Sequence, residues 1–173
     1  VVRTTGARER PVIKLSDGSK ITLNAHSQIR YVKSFSDTAR IIELEGEAFF
    51  EVSRNIYKPF IVISKGVATK ALGTSFNINT RSSGSSINVT LVSGKVEVSR
   101  TDTDRGQKVF LSPSQQIDFD TEHGRFSDVK DADVSSVIAW KDNIIQFKRA
   151  SRDEVFAYLS EWYGVSIVQK NSN

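Results

Sequence analysis

Ile42-Glu-Leu-Glu-Gly-Glu-Ala-Phe-Phe-Glu-Val52 places an apolar or small residue at every even position and glutamate at four of the five odd ones. A period of two with acids opposed to aliphatics is the signature of a strand with one buried face. Wound as a helix, the same residues would scatter the glutamates around the circumference and leave no continuous apolar stripe. Gly46 interrupts the inward row with no side chain, as at a bulge or a close backbone approach. The expectation is one long, bent, half-buried strand with Phe49 on its glutamate face.

Both flanks of this stretch read the same way. Upstream, Val12-Ile-Lys-Leu15 and Lys20-Ile-Thr-Leu23 surround Ser16-Asp-Gly-Ser19, and Asp-Gly accepts the positive φ angles of a tight hairpin. Gln28-Ile-Arg-Tyr-Val32 is a further strand. Downstream, Phe60-Ile-Val-Ile63, Val67-Ala-Thr-Lys-Ala-Leu72, Thr74-Ser-Phe-Asn-Ile-Asn79, Ile87-Asn-Val-Thr-Leu-Val92 and Lys95-Val-Glu-Val98 follow with glycine at most of the turns. Val109-Phe-Leu111 and Gln116-Ile-Asp-Phe119 close the series. Glycine recurs between strand-like runs at Gly18, Gly46 and Gly94, at intervals too unequal for a regular repeat. The fold class expected is mainly β: a many-stranded antiparallel sandwich or roll, irregular and solenoid-like, followed by a partial β-α-β unit. Its core should include Leu23, Tyr31, Leu44, Phe50, Val52, Phe60, Phe76, Leu91 and Val96.

The organisation expected is a loosely held arm or linker end at 1–11, an all-β domain at 12–128, a connector at 129–139 and the β-α-β fragment at 140–173. In that fragment a strand is expected at 143–147. Ser151 and Glu154 then form a capping box. Val155, Phe156, Leu159 and Trp162 share one helical face, Gly164 ends the helix, and a second strand is expected at 165–168.

Composition narrows the function. The chain has 173 residues, 38% hydrophobic and 25% charged, with a net charge of +4 from 24 basic and 20 acidic residues. That suits a folded soluble domain, and the basic residues form no dense run, so no nucleic-acid partner is expected. With no cysteine there are no disulfides, thiolate metal sites or cysteine nucleophiles. His26 and His123 lack ligand spacing, so neither metal nor cofactor is expected. No nucleophile elbow, phosphate loop or dinucleotide fingerprint occurs, and no catalytic residues are assigned. Glu45 and Glu47 would sit about 6.6 Å apart along a strand, within the range of a glycosidase pair. A row of exposed acids opposite Arg30, Lys33 or Arg40 is the simpler reading. The sequence opens Val1-Val2 without methionine, and an anchoring or targeting segment is expected before Val1.

Taken together, Leu15-Ser-Asp-Gly-Ser19, Leu23-Asn-Ala-His-Ser27, Leu44-Glu-Gly-Glu-Ala-Phe-Phe-Glu-Val52, Leu72-Gly-Thr-Ser-Phe76, Thr90-Leu-Val-Ser-Gly-Lys-Val-Glu-Val98 and Leu111-Ser-Pro-Ser-Gln-Gln116 resemble the FecR family of anti-sigma regulators in its periplasmic part. Residues 140–168 resemble the first half of the short N-terminal domain of secretins and TonB-dependent receptors. The resemblance implies the soluble periplasmic part of a single-pass inner-membrane protein, touching the membrane only through a helix absent from this chain. It implies two partners. A cytoplasmic domain, also absent here, would hold an extracytoplasmic-function sigma factor, and the periplasmic part would meet the signalling domain of an outer-membrane TonB-dependent receptor. Ile144, Ile145, Phe147, Val165 and Ile167 are the residues expected at the receptor, on strands with an unpaired edge. Several family members cut themselves at a Gly-Thr bond in the Leu72–Phe76 motif, which makes Gly73 and Thr74 a candidate self-cleavage site. The competing reading is a secreted β-sandwich that binds carbohydrate or serves in adhesion, with Phe49, Tyr31 and Phe35 as its exposed aromatics.

Overall fold

The computed structural model describes residues 1–82, 85–102 and 107–167. The remainder lies outside them, including Ser83, Gly84, residues 103–106 of the charged loop, and Val168 of the expected last strand. Strands are numbered in chain order. The first sheet runs β1 (Val2–Thr4), β4 (Gln28–Tyr31), β5 (Arg40–Glu45), β7 (Phe60–Ser64), β8 (Val67–Ala71), β11 (Val96–Arg100), β12 (Lys108–Leu111). The second runs β14 (Arg125–Phe126), β13 (Gln115–Asp120), β10 (Ser86–Ser93), β9 (Ser75–Ser82), β6 (Glu47–Glu51), β3 (Lys20–Leu23), β2 (Val12–Lys14), with β15 (Lys130–Asp131) beside β13. Neighbours are antiparallel except β5 and β7, which run parallel. From β2 to β13 the chain keeps changing sheet after every one or two strands, so the architecture is a roll of two sheets around one core.

The founding stretch is two strands in different sheets. Ile42 and Leu44 of β5 fill the core from the first sheet, and Ala48 and Phe50 of β6 fill it from the second. Gly46 is the corner between them. Its φ is +99°, and a Cβ there would stand 2.7 Å from Ser27 Cα, so only glycine lets the chain turn this close to β4. Alternation alone cannot show this, because both halves bury the same parity. Gly73, between β8 and β9, and Gly94, between β10 and β11, are corners of the same kind. Gly18 instead sits in a hairpin within the second sheet.

The expected core is present: Phe50 stacks on Phe76 at 5.0 Å and meets Phe60 edge-on at 6.1 Å. Tyr31 is half-buried against that core. Phe49 is buried, at 5% exposure, because the outer face of the second sheet is covered at β6: the Lys141 ammonium lies 5.6 Å from its ring centroid. Three other expectations are corrected. The arm is not loose, since β1 pairs with β4 and Thr5 is buried, its hydroxyl donating to Asn24 O at 2.6 Å. Residues 143–147 form no strand, and neither do residues 165–167. The run 143–147 is displaced by a short helix α1 (Val134–Ile138) and a 3-10 turn (Ala139–Asp142), capped by Asn143 in the left-handed region. Among the described residues no strand lies beside either apolar run, so neither has a ladder to join. The helix itself, α2 (Arg152–Tyr163), is as expected. Ser151 N donates to Glu154 Oε2 at 2.7 Å, Glu154 N to Ser151 Oγ at 3.3 Å, and Val165 N to Ser160 O across Gly164.

Register fixes two ends of the roll. At one end lie Val1 beside Tyr31, Phe60 beside Ala71, Val96 beside Leu111, and the corners Gly73 and Gly94. At the other lie Gly46, Ser27 and the turn Lys65-Gly66. The arm crosses from the Gly73 end to the Gly46 end, where it meets the C-terminal helix.

Candidate functional site

At the Gly46 end the arm holds α2 through three contacts. Arg8 Nε donates to Tyr163 O at 2.8 Å, and the Arg10 guanidinium lies 3.6 Å from the centroid of the Trp162 ring. A Cβ on Gly164 would stand 2.9 Å from Ala7 Cβ. Tyr158 stacks on Trp162 at 5.8 Å and takes Phe147 edge-on at 5.5 Å, so the order Arg10, Trp162, Tyr158, Phe147 forms one stack. The expected helical face, Val155, Phe156, Leu159 and Trp162, is only half-buried, because α2 packs on one loop rather than on a sheet of its own.

Beneath Arg10 lies Glu47, which the sequence places in an exposed acidic row and the structure buries to 8% exposure. Asn24 Nδ2 donates to Oε2 at 2.8 Å and Asn77 Nδ2 to Oε1 at 2.9 Å. Burial pushes this carboxyl above its ordinary pKa, and the two amide bonds and the charge of Arg81 only partly offset it. Arg10, Asn24, Glu47, Arg81, Tyr158 and Trp162 line a cleft of about 370 Å³. Trp162 is engaged by both the Arg10 guanidinium and the Tyr158 ring. Phe49, Tyr31 and Phe35 are buried or packed on the core, so the three aromatics expected on a carbohydrate-binding face do not form one. Glu45 is exposed and Glu47 buried in the other sheet, so they do not form a carboxylate pair.

The expected receptor residues are mostly uncovered. Ile144 is 50% exposed, Val165 45%, Phe147 41% and Ile167 37%, while Ile145 is half-buried. They lie in the segments just before and after α2, and of them only Phe147 joins the aromatic stack.

The third place is the Gly73 corner. Gly73 has φ +149°, rare for residues with a side chain, and a Cβ there would stand 2.8 Å from Arg54 Cα. Thr74 is buried and its hydroxyl has no hydrogen-bond partner. Gly94 leaves room for this peptide: a Cβ on it would meet Thr74 Cγ2 at 2.6 Å and Gly73 O at 3.1 Å. Val52 N holds Thr74 O at 2.9 Å and Asn55 N holds Leu72 O at 2.9 Å, which pins the bond from both sides. Lys20, Glu51 and Ser93 line the opening beside it.

The sequence model of the FecR protein family matches residues 2–97, more than half of the chain. The chain belongs to the FecR family. The FecR match contains the arm, the Gly46 corner, Glu47 and the Gly73-Thr74 bond, and leaves α2 outside. Comparison with curated proteins finds no match. Among solved structures, a candidate anti-sigma factor from Parabacteroides distasonis ATCC 8503, crystallised at 1.65 Å, superposes with a TM-score of 0.82 at 32% identity. The likeness covers 95% of this chain and 75% of that one. A 2.50 Å crystal structure of a candidate anti-sigma factor from the same organism gives 0.81 at the same identity and coverage. The contacts of Arg8 and Arg10 with α2 and the burial of Glu47 were not legible in the sequence.

Proposed function

We propose that this chain is the periplasmic, signal-receiving region of a transmembrane anti-sigma regulator, controlling an extracytoplasmic-function sigma factor in response to an outer-membrane TonB-dependent transporter. FecR membership and the likeness to a candidate anti-sigma factor support the regulator. The sigma factor is met by a cytoplasmic domain outside this chain. The observation that carries the receptor half is the open apolar set Ile144, Phe147, Val165 and Ile167 beside a helix that is itself only half-buried. Such a surface gains most by being covered, and the transporter's signalling domain is the partner that would cover it. Titration calorimetry against signalling domains of TonB-dependent transporters from the same organism tests this. Ile144→Asp with Phe147→Asp is expected to weaken binding at least about tenfold, since anchors at an interface centre dominate its energy. Undiminished affinity in that variant refutes the assignment.

A second reading concerns chemistry at Gly73-Thr74, and the unpartnered, buried Thr74 hydroxyl favours it. In this proposal Thr74 Oγ1 attacks the Gly73 carbonyl carbon, the Gly73–Thr74 C–N bond breaks, and the Thr74 amine is freed as the acyl group passes to oxygen. Water then hydrolyses the ester, regenerating the threonine hydroxyl and leaving a carboxylate on Gly73. The fixed positive-φ backbone supplies the strain that such a shift needs. The surrounding strands, β8 in one sheet and β9 in the other, hold the two pieces together.

A further inference from the structure

Exposed apolar side chains are unevenly spread over the β domain. Among the described residues up to 128, every large one except Val12 lies at the Gly73 end. Val32, Ile41, Ile56, Tyr57, Leu72 and Phe110 are between 39% and 88% exposed there. Register places Ile41, Ile61, Lys70, Glu97 and Phe110 in one row across the outer face of the first sheet. Above that row stands the loop at 53–59, whose shape is fixed. Asn55 Oδ1 accepts from the backbone N–H of Tyr57 and of Lys58 at 3.0 Å each, and Asn55 N donates to Leu72 O. An Asx turn of this kind holds Ile56 and Tyr57 outward, at 55% and 88% exposure, in place of folding them onto the sheet.

Cations surround the patch: Lys33, Arg54, Lys58, Lys70 and Lys95, the last 4.7 Å from the Phe110 ring centroid. Around the patch on the first sheet the acids are fewer, Asp131 lying with Gln115 on the second sheet. Asp17 is committed to Arg40, Glu97 pairs with Lys108 at 3.2 Å, Glu51 belongs to the second sheet, and Asp37 lies in the loop before β5. An apolar tip with a tyrosine, rimmed by lysine and arginine, has the composition of a surface that enters a lipid headgroup layer. A second copy of the chain fits poorly, because a two-fold contact would set five cations against five.

We infer that the Gly73 end of the roll rests on an anionic phospholipid surface. Ile56 and Tyr57 enter the headgroup region, and the exposed Arg54, Lys70 and Lys95 face the phosphates. Val1 begins at this same end, and α2 with its open apolar set lies at the opposite one, so both faces can be occupied at once. The inference rests on the surface alone and is independent of the receptor reading.

Flotation of the purified chain with phosphatidylcholine vesicles, with and without phosphatidylglycerol, tests it. The chain is expected to float with the anionic vesicles only, and less so at high salt. Lys70→Glu, at an exposed position of the patch row, should weaken partition by at least about fivefold, the effect of one cation near a charged bilayer. The double variant Ile56→Ser, Tyr57→Ser should lose most of the binding, whereas Val12→Ser, equally exposed but elsewhere, should keep it. All three alter exposed positions, so unchanged unfolding midpoints confirm that the fold is intact. Absence of wild-type flotation overturns the inference. So does full binding by the Ile56/Tyr57 variant, or a patch-dependent dimer in sedimentation velocity with no vesicle binding.

Discussion

Arg40 Nη1 lies 2.5 Å from Asp17 Oδ2, an ion pair that joins the first hairpin turn to the start of β5 in the other sheet. Arg40 is 1% exposed, and its guanidinium also donates to Ser53 O and Lys58 O at 2.9 Å each. One buried cation thereby ties the first hairpin turn and the loop at 53–59 to the start of β5. Removing Asp17 leaves that charge uncompensated, and Asp17→Ala is expected to cost about 3–5 kcal/mol in denaturant melts. Burial alone would raise the Asp17 pKa, yet hydrogen bonds from Ser19 and Arg40 hold it below the ordinary value. Its contribution is therefore present above the unfolded carboxyl pKa and is lost as pH falls through the lower, folded one.

Glu47 has the opposite sign. Its folded pKa is raised, so the fold carries no penalty from it at pH below the unfolded value, and stability is lost as pH rises through the folded one. Glu47→Gln should remove that dependence, making the variant's stability relative to wild type grow between acid and neutral pH. Asn77 Oδ1 is buried without a partner and can accept from the new amide. Unfolding curves across that range that stay parallel for the two proteins would contradict the raised pKa.

Phe50 sits between Phe60 of one sheet and Phe76 of the other, with 0% exposure. Phe50→Ala is expected to cost about 3–5 kcal/mol, because neither sheet can collapse into the space. A loss below about 1 kcal/mol in urea melts would mean that the sheets repack.

Gly46→Ala probes the corner. The positive φ costs about 1–3 kcal/mol for an L-residue. Contact with the Ser27 backbone adds about 1–3 kcal/mol more. Circular dichroism of the variant is expected to show a protein unfolded or melting far below wild type, whereas an exposed change such as Val12→Ser should be silent.

For the Gly73-Thr74 bond, intact-mass measurement after long incubation of native protein is decisive. Two fragments divided between these residues, absent in Thr74→Ala, are expected. A single unbroken chain rules out self-cleavage in this protein.

Much of the fold was legible as alternation. The buried sets at Ile42 and Leu44, at Phe60 and Val62, and at Val96 and Val98 follow from a period of two. The α2 cap at Ser151-Glu154 follows from hydrogen bonds made within four residues. Local chemistry decided these, so the sequence by itself determined them. It also determined the FecR likeness, because those motifs are contiguous. What it could not determine is where a strand ends and changes sheet. Gly46 reads equally as a bulge or a corner, since both need the same backbone freedom, and only its packing against Ser27 distinguishes them. Nor could alternation show that Glu47 is buried, because a residue on the outward face is covered only if something else folds over it. The arm's arginines and the Trp140 turn come from more than 30 and 90 residues away to do so. The apolar runs at 143–147 and 165–167 had strand-forming side chains but, among the described residues, no neighbouring strand to pair with, and pairing is a property of tertiary structure, not of a segment.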